Sequence, residues 1–402
     1  MIDRDINNQI KKLLDAGHSL LLLGPRQVGK TTLIQSLLKD RDCLCYNLMH
    51  SKQHQQFEQD PALLIQEVLA QPHKLIFIDE IQKVPALFDN IQLLIDEHHY
   101  QFILTGSSAR KLKAAKANLL PGRLIALRLD PLTLSEYDSP SNHPKLPLKA
   151  LLRFGELPAI IQSRLENQTE FQADLLKTYV STYLEEEIRA ESLARNVGNF
   201  TRFLKLAAEC SGKLLSVRAL SQDLGIPHQT LQGYYGILED CLITETVEIL
   251  TPHTQRHRLS KSTKTLFFDL GVVNALTGLI DASDFPSEIW GQLFEQWVGL
   301  TLLRFNRTAQ KKSTLFYYRD SQHREIDWVI DTHHHWIPIE VKWSDSPNLS
   351  HCKHLIHFLK TYPDKAKHGY LLYPGPRARK LSDTITALPY HDLLTVFDHG
   401  QP

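Results

Sequence analysis

No stretch of the chain offers the ~20 consecutive apolar residues that a membrane-spanning helix needs. The segment Met1 to Ile10 mixes charged and polar residues where a secretion signal would carry an apolar core. The expectation is a cytoplasmic protein with no membrane partner. Cysteine is scarce: Cys43, Cys45, Cys210, Cys241 and Cys352 form no CxxC pair and no zinc-ligand spacing. That excludes a disulfide framework and a zinc module, and it fits a reducing compartment. Excess charge is lacking too. Lys plus Arg and Asp plus Glu number 45 each, so the simple argument from a strongly basic chain to nucleic acid does not apply, and only a local basic patch could serve. At 402 residues the chain exceeds the usual span of one hydrophobic core, so several domains are expected.

What the chain does contain is an apolar run, Ser19 to Leu23, that breaks into Gly24-Pro25-Arg26-Gln27-Val28-Gly29-Lys30-Thr31-Thr32. This reads as a phosphate-binding loop. Gly24 and Gly29 let the backbone curl so that amide N–H groups face a phosphate, Lys30 adds positive charge, and Thr31 supplies a hydroxyl for Mg²⁺. Both flanks agree: Leu20 to Leu23 fit a buried parallel strand, and Leu33, Ile34, Leu37 and Leu38 recur at helical spacing. The helix that opens near Lys30 adds the positive end of its dipole. ATP with Mg²⁺ is the implied ligand.

Lys74 to Glu80 supplies a second apolar strand, ending in two adjacent carboxylates. Asp79 can hold the Mg²⁺ shell while Glu80 polarises the attacking water as a general base; the plainer alternative is a solvated acidic turn. Gln101 to Ser108 reads as a third strand whose end carries Thr105 and Ser107, either of which can sit beside the γ-phosphate or simply form a turn. Arg123 follows a Pro-Gly turn. It can reach a γ-phosphate in its own subunit or in a neighbour's, which would require a homo-oligomer, or it can form a surface ion pair. Strands alternating with helices predict an α/β class with a doubly wound parallel sheet in this first part. The Pro-rich stretch Asp138 to Pro147 reads as its exit, after the basic stretch Lys111 to Lys116 and before a mainly helical region with an acidic run at Glu185 to Glu187.

Ser216 to Ile226 forms a short helix ended by glycine, and Pro227 opens a second one running to about Cys241. Helix-turn-helix spacing followed by a strand-like alternation, Leu242 to Ile249, predicts a winged helix. The second helix carries His228, Gln229, Gln232, Tyr234 and Tyr235 rather than a row of arginines, so DNA contact and mere domain packing both remain open. Farther on, Ser287 to Phe305 is an amphipathic helix bearing Glu295, while Arg324 to Ile330 and Ile337 to Lys342 are strands joined by a turn at His333, His334 and His335. Asp327 and Glu340 on adjacent strands can bind one Mg²⁺ or Mn²⁺, with Lys342 on the same strand face as Glu340. That suits phosphodiester hydrolysis; the alternative is a set of salt bridges without metal.

Taken together, the loop Gly24 to Thr32, Ile76 to Glu80, Leu104 to Ser108, Gly122-Arg123, Pro131 to Tyr137 and Glu340-Val341-Lys342 resemble a prokaryotic family of AAA-type P-loop ATPases. In that family the C-terminal domain of uncharacterised function looks like the PD-(D/E)XK nuclease fold. The resemblance implies ATP binding at Lys30, Thr31 and Asp79, hydrolysis assisted by Glu80, and a nuclease motif at Glu295, Asp327, Glu340 and Lys342. The chain departs from the family pattern after Tyr183, where Leu-Glu-Glu-Glu-Ile stands in place of an Arg-Asp pair. The expected division is an ATPase domain over 1–140, a helical linker over 141–210, a winged-helix-like domain over 211–255 and a nuclease-like domain over 256–402. The expected function is an ATP-hydrolysing motor or switch acting on DNA, with metal-dependent nuclease activity as an open addition. The alternative is a regulatory ATPase controlling protein partners, its nuclease-like domain inactive.

Overall fold

The computed structural model describes residues 2–108, 122–137, 146–184, 197–251, 263–310 and 312–397. The basic stretch Lys111 to Lys116, most of the linker Asp138 to Pro147 and the acidic run Glu185 to Glu187 lie outside the described residues.

The first sheet has five strands: β1 (Ser19–Leu23), β2 (Cys43–Asn47), β3 (Leu75–Asp79), β4 (Gln101–Gly106) and β5 (Leu124–Arg128). Their order is β2-β3-β4-β1-β5 and every pairing is parallel. Continuous apolar runs suit such a sheet because both faces are covered. Alternation sorts the leucines of β1: Leu21 packs with Ile76, Ile78, Phe102 and Leu104 on one face, whereas Leu20 and Leu22 join Phe77 and Ile103 on the other. The first face is covered by the helix Leu87–His98. The second is covered by Leu33 and Ile34 of the helix Lys30–Leu38, and its core runs on without a break into Leu157, Phe200, Phe203 and Tyr234. The ATPase sheet and the helical region therefore share one apolar core.

In the middle of the chain, the helices Val217–Leu224 and His228–Asp240 are separated by Gly225, which takes the left-handed conformation that ends the first. Ser216 caps that first helix by accepting a hydrogen bond from the Ala219 amide. β6 (Thr244–Ile249) then pairs antiparallel with β7 (Lys264–Phe267). The expected boundary between 255 and 256 falls between these two paired strands. β6 also runs parallel to β8 (Thr314–Arg319), so the hairpin forms one end of the C-terminal sheet.

That sheet is mixed and eight-stranded, in the order β12-β13-β11-β10-β9-β8-β6-β7. It adds β9 (Glu325–Asp331), β10 (Trp336–Val341), β11 (Gly369–Tyr373), β12 (Arg379–Ser382) and β13 (Ile385–Pro389). The helix Ser287–Thr308 packs on one face and the helix Lys353–Thr361 on the other. Close approach of the first is set by Gly299, where an added Cβ would lie 2.5 Å from Trp328 Cζ2. The architecture is thus an α/β fold with an N-terminal parallel sheet, a helical region and a C-terminal mixed sheet.

Candidate functional site

The phosphate loop leaves the C-terminal end of β1 and turns into the helix Lys30–Leu38. Gly24 sits where its amide donates to the Gly106 carbonyl at 3.2 Å. A Cβ there would meet the Leu129 carbonyl oxygen at 2.3 Å, so only glycine fits without moving backbone. Lys30 is buried, and its Nζ donates to the carbonyls of Gly24 and Pro25, both at 2.9 Å. Tyr179, from the helical region, donates its hydroxyl to the Arg26 carbonyl at 3.3 Å.

Parallel strands bring the neighbouring ends to the same edge. Thr31 Oγ1 lies 2.9 and 3.1 Å from the two carboxylate oxygens of Asp79. Thr105 at the end of β4 also donates to Asp79, and it accepts from the Glu80 amide at 3.2 Å. Burial pushes the Asp79 carboxyl up, against the pull of the Thr105 and Thr31 hydrogen bonds. Glu80 holds a left-handed backbone, φ 59°, which is uncommon for a residue other than glycine and clusters at functional sites. Its Oε2 accepts from Gln82 Nε2 and, at 3.3 Å, from Ser107 Oγ; Gln82 Nε2 also donates to Ser107 Oγ at 3.0 Å. Thr105 and Ser107, expected beside the γ-phosphate, are thus turned onto the two carboxylates.

Arg123 is placed elsewhere. In the β1–β5 register Ser19 pairs with Leu124, which puts Arg123 at the edge of the sheet opposite the loop, roughly 17 Å away at ~3.3 Å per strand residue. Its Nε bonds Asp96 Oδ1 at 2.5 Å, with both side chains more than a third exposed. The in-subunit role for Arg123 is therefore corrected: the length of β5 separates it from its own phosphate loop.

Beside the loop lies a cavity of about 580 Å³, bounded by Asp3, Arg4, Gly29, Thr32, Pro158 and Gln162. Its size is in the range that takes a small organic ligand. Arg4 and Gln82 escaped sequence reasoning. Gln82 follows Asp79-Glu80 closely enough to have been suspected, while nothing local marks Arg4.

The second set of expected residues also comes together. The β9–β10 register pairs Ile339 with Trp328, so its next step sets Asp327 opposite Glu340. Lys342 Nζ bonds Glu340 Oε1 at 2.7 Å, and the Val341 amide donates to Asp327 Oδ2 at 2.7 Å. Glu295, on the helix Ser287–Thr308, is reached by Lys264 Nζ at 2.7 Å. Lys264 is the unexpected member. It is 4% exposed and comes from β7, a strand remote in sequence from the acids.

Burial pushes Glu340 up to about 8, reinforced by Asp327 and opposed by Lys342. Burial likewise pushes Glu295 up to about 7, with Asp327 raising it and Lys264 holding it down. Lys342 stays above its ordinary value although burial works against it, because Asp327 and Glu340 lie close. Glu340 Oε2 is buried with no hydrogen-bond partner. Even so, among the described residues no group of three or more His, Cys, Asp or Glu side chains is arranged to hold a metal ion. Glu295, Asp327 and Glu340 are each engaged through one oxygen, by Lys264, the Val341 amide and Lys342 in turn, while the second Glu340 oxygen stays without a partner.

A model described as an AAA domain matches residues 16–138. The N-terminal unit is an AAA-type P-loop ATPase domain. Two further models, each described only as a domain of unknown function (DUF8612 and DUF4143), match residues 146–283 and 290–393. An uncharacterized protein of Mycobacterium tuberculosis is 26% identical over 398 residues, 98% of this chain and 84% of its own length. One from Haemophilus influenzae is 24% identical over 274 residues, 60% of this chain and 66% of its own. Among solved structures, the Walker-type ATPase of Pyrococcus abyssi is similar with a TM-score of 0.47 and 15% identity, covering 69% of this chain and 96% of that one. No helix among the described residues is long and apolar enough to cross a membrane.

Proposed function

We propose that the chain is an ATP-driven switch or motor that acts on DNA and works as a homo-oligomer. The observation that carries the ATPase half is the convergence of Thr31, Asp79, Thr105, Glu80 and Ser107 within hydrogen-bond distance beside the phosphate loop. The hydroxyl of Thr31 and the carboxylate of Asp79 are hard oxygen ligands of the kind Mg²⁺ takes, and they would hold it; bound there, the ion neutralises phosphate charge. Residues 24–32 cradle the phosphates, and Lys30, buried with its Nζ on the Gly24 and Pro25 carbonyls, supplies positive charge there. Glu80 orients the attacking water and takes its proton, with Gln82 and Ser107 setting the direction of its carboxylate. Arg123, on the far edge, meets a nucleotide only across a subunit boundary.

DNA action is supported by the helix-turn-helix spacing, with His228, Gln229 and Gln232 exposed on the second helix. It is also supported by the order of the Ser287–Thr308 helix, β8, β9, β10, the Lys353–Thr361 helix and β11, which suits a nuclease-like fold. A second reading has its own observation. Lys264 and Lys342 neutralise the acids, the helix His228–Asp240 contains no Lys or Arg, and its Tyr234 and Tyr235 are buried. Those features favour a regulatory ATPase that controls protein partners through a catalytically silent C-terminal fold. ATPase rates measured with and without duplex, single-stranded and branched DNA separate the two. Stimulation together with salt-sensitive DNA binding supports the DNA reading, and neither effect at low salt supports the second. An absence of ATP hydrolysis under all conditions refutes both.

A further inference from the structure

Arg4 stands before the first helix, yet its side chain is only 8% exposed and reaches three separate acceptors. Nη1 donates to the Val28 carbonyl at 2.8 Å, Nη2 to the Asp130 carbonyl at 2.7 Å, and Nε to Glu136 Oε1 at 3.0 Å. Glu136 is itself fixed, accepting from the amides of Asp5 and Thr133 at 2.9 Å each. Val28 belongs to the phosphate loop. A trans peptide is planar, so its C=O and the following N–H point in opposite directions. Holding the Val28 carbonyl toward Arg4 therefore turns the Gly29 N–H away from Arg4.

We propose that Arg4 is a positioning residue for the phosphate loop, setting the Val28–Gly29 peptide so that the Gly29 N–H faces the phosphates and tying the loop to the segment 130–137. This rests on the nucleotide reading of the loop. A buried charge is an expensive way to pin down a chain end, since an apolar side chain would do so without desolvating a guanidinium. What the planar fork of an arginine adds is direction at several acceptors at once. The segment it grips leads onward: the Asp130 carboxylate is bound by Arg128 at 2.8 Å and by Arg307 of the Ser287–Thr308 helix at 2.6 Å. The segment gripped by Arg4 is thus also in contact with the C-terminal part.

The test uses the full chain and titrates ATP and adenosine separately, with far-UV circular dichroism reporting folding. For Arg4→Met the ATP dissociation constant is expected to rise roughly tenfold to a hundredfold, as for loss of a charged hydrogen bond. Adenosine, which lacks phosphates, changes far less, so the ATP-to-adenosine affinity ratio falls. Arg4→Lys, a single donor without the fork, restores only part of the loss. A folded Arg4→Met protein with an unchanged ratio overturns the proposal. Should that variant fold poorly, Glu136→Gln keeps the shape while removing the charge that orients Arg4; a smaller fall in the same ratio supports the proposal and no fall overturns it. Failure of the unmodified protein to bind ATP overturns the nucleotide reading as well, and that result is visible before any variant is made.

Discussion

The contact between the helical region and the C-terminal helix combines an apolar core with one buried ion pair, Glu156 with Arg304, whose removal is a demanding check on how the parts hold together. Both side chains are almost inaccessible, 4% and 3% exposed. Arg304 donates to Glu156 Oε2, to the Leu132 carbonyl at 3.2 Å and to the Phe268 carbonyl at 2.7 Å. Glu156 Oε1 also accepts from the Tyr137 hydroxyl at 2.6 Å and from Trp297 Nε1 at 3.0 Å. Arg304→Met would leave a buried carboxylate with two neutral donors and strip two carbonyls of their partner. Breaking such a pair from one side costs about 3–5 kcal/mol, since the uncompensated charge stays in place. Replacing Glu156 by Gln in the same protein removes that charge while keeping an acceptor for Tyr137 and Trp297. The double variant should therefore recover most of the loss, ending about 1–2 kcal/mol below the unmodified protein. Urea unfolding followed by both tryptophan fluorescence and circular dichroism measures this, and coincident transitions license the free energies. If Arg304→Met costs less than about 1 kcal/mol, or the double variant is as unstable as the single, the reasoning fails.

Two further outcomes are expected. Glu80→Gln keeps ATP affinity and lowers single-turnover hydrolysis about 10²–10⁴-fold, the usual range for a lost general base; near-normal turnover removes Glu80 from that role. Asp269 is held protonated more firmly in the folded state, since burial lifts its carboxyl from 3.8 to about 6. A carboxyl raised on folding contributes stability that is present below its unfolded value and lost as pH rises toward its folded value. The stability of the unmodified protein relative to Asp269→Asn, which resembles the protonated form, should accordingly fall between about pH 4 and pH 6 and level off above; chemical denaturation across that range reads the slope, and a rising difference contradicts it.

The phosphate loop, the strands around it and the acid pair Asp79-Glu80 were legible in the sequence because each depends on local pattern. Apolar runs of strand length, glycines at a tight turn and helical spacing after Lys30 all act over a few residues. The same holds for the two short helices around Gly225 and for the strands carrying Asp327 and Glu340, whose observed bounds differ from the expected ones by a residue or two.

Other features depend on where distant segments meet. The placement of Arg123 followed from the β1–β5 register, which the turn before it does not encode. Lys264 reached Glu295 because β6 and β7 join the C-terminal sheet, a pairing that no local pattern specifies. Arg4 and Arg304 are likewise unremarkable in a list of residues and become specific only through the carbonyls they find. The sequence by itself thus determined the elements and the nucleotide loop, since hydrophobic periodicity and backbone sterics act locally. Tertiary structure alone decided which charges are buried together, because burial and pairing belong to contacts between segments far apart in the chain.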